Sequence, residues 1–523
     1  MSHAATFTRR LPFCCLALAG AMALAFSGCS SPNLNVPKPE SHALATPEET
    51  PIGKAYAVAA KDHPGLSGFR LLPTGQEAIL ARIALAAKAE RTLDLQYYMV
   101  HQDTSTALLF EYVIAAARRG VHVRFLIDDM YARGKDIDLG VFDSHPNIEV
   151  RVFNPFLNRG PLGLSRMFEF VADGSRLNRR MHNKLWIADN AAAIVGGRNL
   201  GDEYFGVNPG GFADLDVVAV GPVVPEISRS FDEYWNSEWA VPITAFVTQP
   251  ASKEKTAELV AKQEQAFKKA SDTDYAKSLR ASPMIQEVTS GNVPVVWAQA
   301  EAKYDPPKKF DDKGKLPNDK LLLSQLSPLL QSAKTELDFI SPYFIPGEGG
   351  VKWLTDAKAR GVRIQVLTNS LDSTDVSAVS AGYSKYREDL LKGGVELYEM
   401  KRDPQRADSS RGSSAGSLHA KAFIADRQSV FIGSMNLDPR SHTTNTEVGL
   451  VIHSPELADQ LGKLFAEGTA PIASYQPKLD AKGEVEWHEE KDGKPIVHTT
   501  EPAPWTRRFS KWLMSIFAPE SML

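Results

Sequence analysis

Cysteine is scarce in this chain of 523 residues, which carries only three. All three, Cys14, Cys15 and Cys29, lie close to the N-terminus. The remaining chain is long enough for about two to four domains. Because it contains no cysteine, a fold held together by disulfides is excluded.

A strong excess of charge of either sign is also missing. The chain has 59 basic and 63 acidic residues, and its formal net charge is -4. A protein that coats nucleic acid is usually basic. The composition therefore argues against that role, and we expect no nucleic acid partner. With 43% hydrophobic and 23% charged residues, the chain has the composition of a globular protein.

The N-terminus has the pattern of an export signal. Arg9 and Arg10 precede the apolar run LPFCCLALAGAMALAF, which ends in the small residues of SGCS. This arrangement resembles a bacterial lipoprotein signal and implies a lipid on Cys29. Ser30 follows, where an Asp would favour retention in the inner membrane, so the resemblance implies an exported protein anchored by lipid, facing the periplasm, with the outer membrane favoured. The alternative, an uncleaved membrane anchor, is less favoured because the run is short.

The chain contains an internal repeat. The segments RTLDLQYY and AAARRGVHVRFLID recur as TELDFISPYF and AKARGVRIQVLTN, at an offset of roughly 240 residues. Each copy alternates helical apolar spacing with short strand-like runs, which predicts βαβ units and a largely parallel sheet. The expected fold class is α/β, with two duplicated lobes packed side by side.

This pattern divides the chain into six parts. We expect a signal peptide over 1–28, a flexible tether over 29–62, a first lobe over 63–245, a helical linker over 246–290, a second lobe over 291–475 and a C-terminal tail with an amphipathic helix over 476–523.

Each lobe carries one copy of a short motif, HNKLWIAD in the first and HAKAFIAD in the second. Both copies are predicted to form a strand, a turn and a second strand. Residues i and i+2 of a strand share a face. His182 and Lys184 therefore point the same way, as do His419 and Lys421. A chance match to one copy is common, but two copies in matching contexts are not.

Two further residue types recur with the motif. Asp189 and Asp426 fall at the turn, where support of the hairpin or a buried ion pair is favoured over chemistry. Asn199 and Asn436 each follow the motif histidine by 17 residues. All of these residues are counted in the candidate catalytic site.

A His–Lys pair suits a phosphate group. Lysine supplies a point charge to phosphoryl oxygens, and histidine donates or accepts a proton near neutral pH or attacks phosphorus. Attack and protonation of the leaving group come from opposite sides of phosphorus, so two facing histidines can do what one cannot. Lysine is a poor metal ligand and no further ligands cluster nearby, so we expect no metal and no cofactor.

A catalytic histidine needs an orienting carboxylate. Asp214 and Glu447 each open the next predicted strand of their own lobe. We therefore expect Asp214 to orient His182 and Glu447 to orient His419, with Asp216 as the alternative in the first lobe. An ordinary acidic residue at a strand end is the competing interpretation.

The doubled His-x-Lys-x4-Asp motif resembles the signature of the phospholipase D superfamily. The segments GGRNLGDEYF, FADLDVVAVGPVV, SPYFIPG, GYSKYREDLL and DPRSHTTNTEVGL resemble its bacterial cardiolipin synthase branch, especially the C type. The resemblance spans about Gly65 to Ala470 and implies one active site at the interface of two lobes. It also implies that His182 is the nucleophile and His419 the acid and base.

The resemblance implies a reaction between membrane phospholipids. A phosphatidyl group would pass from a donor, phosphatidylethanolamine in the C type, through a covalent phosphatidyl-histidine to phosphatidylglycerol, making cardiolipin. The alternatives are an exported phospholipase D that releases phosphatidic acid and, less favoured, a phosphodiesterase or nuclease of the superfamily. Whether a small helper protein is a further partner is left open.

Four other residues are candidates for substrate binding. Arg179 and Arg180, with Arg176 before them, could bind lipid phosphates, or they could form a solvated basic turn. Tyr343 in SPYFIPG could line an acyl groove or belong to the core. Ser380 stands in SAGY where the branch is expected to have HAGY, which puts the choice of acceptor lipid in question.

The tail WTRRFSKWLMSIFAP has helical apolar spacing. One predicted face carries Trp505, Phe509, Trp512, Leu513 and Ile516, and off that stripe lie Arg507, Arg508 and Lys511. The pattern fits an amphipathic helix at a membrane surface. It fits a terminal helix that docks on the protein body almost as well.

Overall fold

The structure is a computed structural model that describes residues 32, 34–132, 135–158, 169, 173–208, 210–247, 252–291, 293–311, 316–402 and 416–517. Cys29 and the expected signal peptide lie outside the described residues. Within the described part of the chain, every helix is too short or too polar to cross a bilayer.

The strands occur in two matching series. In chain order they are β1 Ser67–Leu72, β2 Thr92–Tyr97, β3 His122–Asp128, β4 Ile148–Phe153, β5 Leu185–Ala188, β6 Ala192–Gly196, β7 Phe212–Ala213, β8 Asp216–Val220, β9 Ala240–Pro242, β10 Val296–Tyr304, β11 Glu336–Ile340, β12 Arg363–Asn369, β13 Glu396–Met400, β14 Ser417–Leu418, β15 Ala422–Ala425, β16 Ser429–Gly433, β17 Val448–His453, β18 Ser474–Leu479, β19 Val485–Lys491 and β20 Lys494–His498.

The α-helices lie between these strands and at both ends. They are α1 Pro51–Ala59, α2 Gly75–Lys88, α3 Thr104–Arg118, α4 Asp136–Asp143, α5 Gly174–Leu177, α6 Asp202–Phe205, α7 Val224–Asn236, α8 Lys253–Ser271, α9 Asp274–Arg280, α10 Pro283–Ser290, α11 Leu322–Ser332, α12 Gly347–Ala359, α13 Ser377–Lys392, α14 Pro439–Thr443, α15 Pro455–Thr469 and α16 Trp505–Phe517.

One continuous sheet runs through both lobes. From the centre outward, the first lobe has the order β1-β8-β6-β5-β2-β3-β4-β9. The second lobe repeats it as β10-β17-β16-β15-β11-β12-β13-β18. The two halves join where β1 pairs antiparallel with β10. The expected pair of duplicated α/β lobes, side by side, is confirmed. The expected largely parallel sheet is wrong, because among its described strands only β2-β3-β4 and β11-β12-β13 pair in parallel, and the motif hairpins and the strands beyond them pair antiparallel.

Local sequence signals explain several helix ends. Thr74 and Glu77 form a reciprocal cap at the start of α2, and the Asp103 side chain caps α3. Gly120 and Gly361 follow α3 and α12 with φ angles of 99° and 96°. These left-handed turns favour glycine and direct the chain into β3 and β12.

A hydrophobic core is shared between the lobes. One buried cluster contains Phe231 and Trp235 of α7 together with Leu450 of β17 and Leu461 of α15. The outer helices of each lobe pack on separate clusters. Because the central cluster draws residues from both lobes, the lobes form one packed body rather than two tethered domains.

The expected flexible tether over 29–62 is wrong for its second half. The buried Arg151 guanidinium donates to the Pro39 carbonyl at 2.7 Å, and buried Arg124 donates to the Ser41 carbonyl at 2.9 Å. Helix α1 then follows. The proline-rich composition suggested a tether, but the partners that hold this backbone come from distant strands.

The segment expected as a helical linker over 246–290 contains α8, α9 and α10. These helices pack against the first lobe. The Tyr275 hydroxyl donates to the Phe205 carbonyl at 2.7 Å, and Arg70 forms an ion pair with Glu287. The segment is therefore part of the first lobe's surface as well as its connection to the second.

The expected boundary between the second lobe and the tail, at residue 475, falls inside β18. This strand pairs with β13 and extends the sheet through β19 and β20. The expected helix follows as α16.

Candidate active site

Each motif histidine is positioned by a backbone segment of the other lobe. The His182 amide donates to the Thr446 carbonyl at 2.9 Å, and the His419 amide donates to the Ala213 carbonyl at 2.7 Å. The same arrangement appears as parallel pairing of Met181 with Thr446 and of β14 with β7. His182 therefore lies beside Thr446, which precedes Glu447. His419 lies beside Ala213, which precedes Asp214.

The carboxylates are consequently exchanged between the lobes. The His182 Nδ1 atom lies 2.9 Å from a Glu447 carboxylate oxygen, and the His419 Nδ1 atom lies 2.6 Å from Asp214 Oδ2. The expected pairing of each histidine with the carboxylate of its own lobe is wrong. The expectation followed proximity along the chain, whereas the pairing across the interface brings the other lobe's acid closer.

Asp216, the alternative carboxylate of the first lobe, has a different role. Its Oδ2 atom lies 2.9 Å from the Arg82 guanidinium and 3.5 Å from that of Arg198, all buried. Arg198 also donates to the backbone carbonyl of Asp214. Asp216 therefore helps to hold the strand that carries Asp214, without contacting a histidine.

The two carboxylates are supported differently. Ser434 and Ser441 each donate a hydroxyl hydrogen bond to Glu447. Gly197 occupies the first-lobe position that matches Ser434, and a Cβ atom there would lie 2.1 Å from Asp214 Oδ1. The shorter Asp therefore requires a glycine beside it, whereas the longer Glu is held by two hydroxyls. The two halves of the site are related but not equivalent.

Burial and the charges of the site lower the pKa of both motif histidines. Burial, followed by the charges of Lys184 and Lys421, lowers the pKa of His182 to about 4 despite Glu447. Burial and the same two lysines also lower the pKa of His419. Each histidine responds to the lysine of the opposite lobe, so both motifs contribute to one electrostatic site.

The lysines are buried beside their histidines, as the strand geometry predicts. Burial and the charge of Lys421 lower the pKa of Lys184 to about 7, and burial lowers the pKa of Lys421 to about 8. The histidines and lysines instead hold the pKa of the Asp214 and Glu447 carboxyls below their usual range, although burial opposes this. Two cations in a buried site favour the arrival of an anion.

The motif aspartates hold the turns. Asp189 accepts hydrogen bonds from the amides of Glu90, Arg91 and Thr92 at 2.8 to 3.0 Å. Asp426 does the same for the segment that leads into β11. Both turns have positive φ at two successive residues, the first of which is the aspartate. The preference for hairpin support over chemistry agrees with these contacts.

The two asparagines are buried at the ends of their hairpins. The Asn199 amide group donates to the Tyr204 hydroxyl at 3.0 Å. The Oδ1 atoms of Asn199 and Asn436 have no hydrogen-bond partner among the described residues. Polar groups left in this state are available to a ligand.

Aromatic rings beside the histidines were not predicted. The Tyr98 ring lies 5.3 Å from the His182 ring, and the Tyr204 and Phe212 rings lie 5.2 and 4.9 Å from that of His419. Tyr98 lies just after β2, and Phe212 immediately precedes the Ala213–Asp214 pair. Their position next to motif segments was the available signal, but an aromatic residue in such a run more often belongs to the core.

The arginines before His182 are paired within the protein. Arg180 is 1% exposed and donates to Asp128 at 3.1 Å, which contradicts its expected role in binding lipid phosphate. Arg176 pairs with Glu169 and Asp173. Arg179 donates to a backbone carbonyl at 2.6 Å. These contacts fix the segment that delivers His182.

The last two candidate substrate-binding residues, Tyr343 and Ser380, lie in the second lobe. Tyr343 donates to Asp375 at 2.8 Å, and the charges of Asp375 and the nearby Tyr204 contribute, after burial, to raising its pKa. The segment that carries Tyr343 lies beside a motif asparagine, because Phe344 pairs with Leu437, which directly follows Asn436. Ser380 is buried on α13, and its carbonyl accepts from the Ser384 hydroxyl at 2.7 Å.

A group of side chains arranged like metal ligands lies apart from the motif residues. Among the described residues it consists of His101, Asp103 and Glu203. His101 pairs with Glu203 at 3.1 Å, and Asp103 caps α3. These structural contacts account for the group.

Taken together, the fold and the site define a two-lobed, phospholipase D-like protein in which two His–Lys pairs and two crossed carboxylates meet. The family model described as "Cardiolipin synthase, PLD-like domain" matches residues 83–235 and 326–468. The chain belongs to this family.

Individual proteins are similar to this chain over most of its length. "Cardiolipin synthase C" of Escherichia coli (strain K12) is 40% identical over 482 residues, covering 90% of this chain and 99% of the relative. "Cardiolipin synthase" of Geobacillus kaustophilus (strain HTA426) is 24% identical over 431 residues, covering 80% of this chain and 70% of the relative. The crystal structure of phosphatidylserine synthase from Haemophilus influenzae Rd KW20 matches 90% of this chain and all of its own with a TM-score of 0.56. At 12% identity, that likeness shows the fold alone.

Proposed function

We propose that this protein makes cardiolipin by transferring a phosphatidyl group from phosphatidylethanolamine to phosphatidylglycerol. The observation that carries the proposal is the pair of buried histidines, each with a lysine two residues further along the chain and a carboxylate from the opposite lobe. The 40% identity to a protein named cardiolipin synthase C, over nearly its whole length, supports the choice of reaction.

In the first step, the Nε2 atom of His182 attacks the phosphorus of the donor. The bond from phosphorus to nitrogen forms, the bond to the ethanolamine oxygen breaks, and that oxygen takes a proton from His419. The Nδ1 atom of His182 faces Glu447, which leaves Nε2 as the attacking atom. The lowered pKa of His182 supports this role, because a neutral imidazole carries the lone pair that attacks.

In the second step, a hydroxyl of phosphatidylglycerol gives its proton to His419 and its oxygen attacks phosphorus. The bond from phosphorus to His182 breaks, which releases cardiolipin and the neutral histidine. His419 must be protonated before the first step, although its pKa is lowered in the free protein. The bound phosphodiester is an anion that compensates the two lysines and, with Asp214, restores the affinity of His419 for a proton.

The remaining polar groups then have roles around the same phosphorus. We assign the lysine ammonium groups of both motifs and the Nδ2 amide hydrogens of Asn199 and Asn436 to the phosphoryl oxygens, where donors stabilise the charge that develops during transfer. Tyr343 and Ser380 are proposed on the acceptor side, since the segment that carries Tyr343 lies beside Asn436. Exchange of one phosphodiester for another requires no ATP, which suits an enzyme outside the cytoplasm.

We also propose export and lipid attachment at Cys29, on the pattern of the N-terminal residues. Val36 packs against the core of the first lobe, and Lys38 donates to the Ser237 carbonyl, which leaves only the residues from Cys29 to Leu34 as a tether. At about 3.3 to 3.6 Å per residue, such a tether reaches about 22 Å at most. The catalytic body would therefore stay close to the membrane that supplies its lipids.

Lipid analysis in cells that lack their own cardiolipin synthases tests the proposal. Expression of the intact protein should restore cardiolipin, and His182→Ala should abolish it. The matched control is His122→Ala, which removes a partly exposed histidine that pairs with Glu149 away from the motifs. If the folded, exported protein yields no cardiolipin, the proposal is wrong. Accumulation of phosphatidic acid in its place would identify a hydrolase.

A further inference from the structure

The C-terminal helix α16 is attached to the protein through its polar side. Lys511 pairs with Glu501, which also accepts from the buried Arg387 of α13 at 2.7 Å. Arg507 donates to the backbone carbonyl of Thr374 at 2.6 Å. Two of the three cations of the helix therefore face the protein body.

The apolar side of the same helix is exposed. The exposed fractions are 71% for Trp505, 54% for Phe509, 56% for Trp512, 36% for Leu513 and 56% for Ile516. A terminal helix that docks on a protein body ordinarily buries its apolar stripe. Here the polarity is reversed, because the ion pairs with Glu501 and the bonds from Arg507 hold the polar side inward.

Helix α16 is located at the catalytic end of the sheet. Arg507 binds the loop that follows β12, and Asn369 ends that strand. The Asn369 side chain accepts from the Leu418 amide and donates to the Leu418 carbonyl, both at 2.9 Å. Leu418 directly precedes His419. The exposed apolar side is thus anchored to the segment that delivers a motif histidine.

The chemistry of the helix selects its partner. Tryptophan and phenylalanine beside basic residues are typical of helices that lie in the interfacial region of a bilayer. The helix has no acidic residue, and Arg508, its remaining cation, is exposed. A surface that contains anionic phospholipid complements both features.

We propose that α16 lies in the interface of a phospholipid bilayer, with its tryptophans and Ile516 among the lipids, and holds the catalytic end of the protein against that surface. The consequence of this contact, which is access of the active site to lipids that remain in the bilayer, rests on the proposed function. The contact itself is independent of the reaction.

Local labelling tests the contact. The test uses a full chain in which Cys14, Cys15 and Cys29 are replaced by Ser and a fluorescent label is attached to Ile516→Cys. The protein is bound to vesicles of phosphatidylethanolamine and phosphatidylglycerol that also contain a lipid with a quencher on its acyl chain. The label should be quenched at least threefold more than one at Val58→Cys. Val58 is 78% exposed on α1, which packs at the opposite end of β8 from Asp214. Equal quenching at both positions on bound protein would refute the inference.

Kinetics separate this inference from the proposed function. Trp512→Glu should lower turnover on vesicles at least tenfold and leave turnover of a soluble, short-chain phosphodiester unchanged, whereas Val58→Glu should change neither. Equal turnover of Trp512→Glu and the intact protein on vesicles would overturn the inference. A different outcome would be that the protein forms dimers, that Trp512→Glu disrupts them, and that the label on vesicles stays unquenched. This outcome would assign the apolar side of α16 to contact with a second copy of the chain. Loss of both activities in the intact protein would refute the proposed function instead.

Discussion

The Nδ1 atom of His182 lies 2.9 Å from the carboxylate of Glu447, a residue 265 positions away and in the other lobe. The reciprocal contact joins His419 to Asp214 across 205 positions. Neither lobe therefore contains a complete histidine–carboxylate pair. The duplication yields one site because each lobe supplies the acid that orients the other lobe's histidine.

The crossed contacts predict which step each carboxylate affects. Glu447→Gln should slow formation of the phosphatidyl-histidine by about 100-fold or more, because the imidazole of His182 loses its orienting anion. Rapid quenching in a denaturant at neutral pH, with a labelled donor, measures this intermediate, because its phosphorus–nitrogen bond hydrolyses in acid. Asp214→Asn should instead impair proton transfer by His419.

A leaving group that needs no proton provides the control. With a p-nitrophenyl phosphodiester, Asp214→Asn should recover much of its rate of intermediate formation, whereas Glu447→Gln should not. The opposite result would support pairing within each lobe and contradict the crossed arrangement.

With the p-nitrophenyl phosphodiester, whose leaving group needs no proton from His419, the pKa values predict a bell-shaped pH dependence of kcat/KM. His182, with a pKa of about 4 in the free protein, is neutral above that pH and loses its attacking lone pair only below it. Lys184, with a pKa of about 7, loses its charge as the pH rises through that value. Activity should therefore fall on the acid side near pH 4 and on the alkaline side from about pH 7.

Arginine stays protonated throughout this range. Lys184→Arg should thus move the alkaline limb upward, although its altered geometry lowers the maximum. An acid limb near pH 6.5, the ordinary pKa of histidine, would contradict the effect ascribed to burial and the lysines.

The turn aspartates should affect stability more than catalysis. Asp189→Asn keeps a residue that tolerates positive φ but removes the carboxylate that accepts three backbone amides. We expect the free energy of unfolding to fall by about 2 to 3 kcal/mol. Urea denaturation measures this loss. The folded fraction should keep kcat within about tenfold, and a loss as large as that of His182→Ala would assign Asp189 to the chemistry.

Arg180 should behave as a buried structural cation. Arg180→Gln leaves Asp128 buried without its partner, which should cost about 3 to 5 kcal/mol. KM for the lipid, measured on the folded fraction, should change little. The exposed Lys463→Gln serves as a control, because it breaks only a surface pair with Asp459 and should cost at most about 1 kcal/mol. A raised KM with unchanged stability would restore the interpretation of Arg180 as a lipid-phosphate ligand.

Much of the site could be predicted because its geometry is local. A spacing of two residues places His182 beside Lys184 and His419 beside Lys421, directly before each hairpin. The turn between the short strands places Asp189 and the matching Asp at its corner. The repeat of these motifs, with helices and strands in the same order, was sufficient to predict two α/β lobes.

Other features depended on contacts that no local pattern contains. The segment from Pro39 to α1 was expected to be flexible, but arginines on β3 and β4 bind its carbonyls. Arg180 follows other basic residues in a pattern typical of a phosphate site, yet an acid at the end of β3 neutralises it. In both cases a buried partner from a distant strand determines the role.

The sequence by itself determined the identities of the motif residues, the hairpin that directly follows each His–Lys pair and the duplication of the fold. Only the tertiary structure decided which carboxylate serves which histidine and which side of α16 faces outward. The first depends on parallel pairing of β7 with β14 and of Met181 with Thr446 across the interface. The second depends on Glu501 and Arg387, which hold the cationic side of the helix against the protein and leave its apolar side exposed.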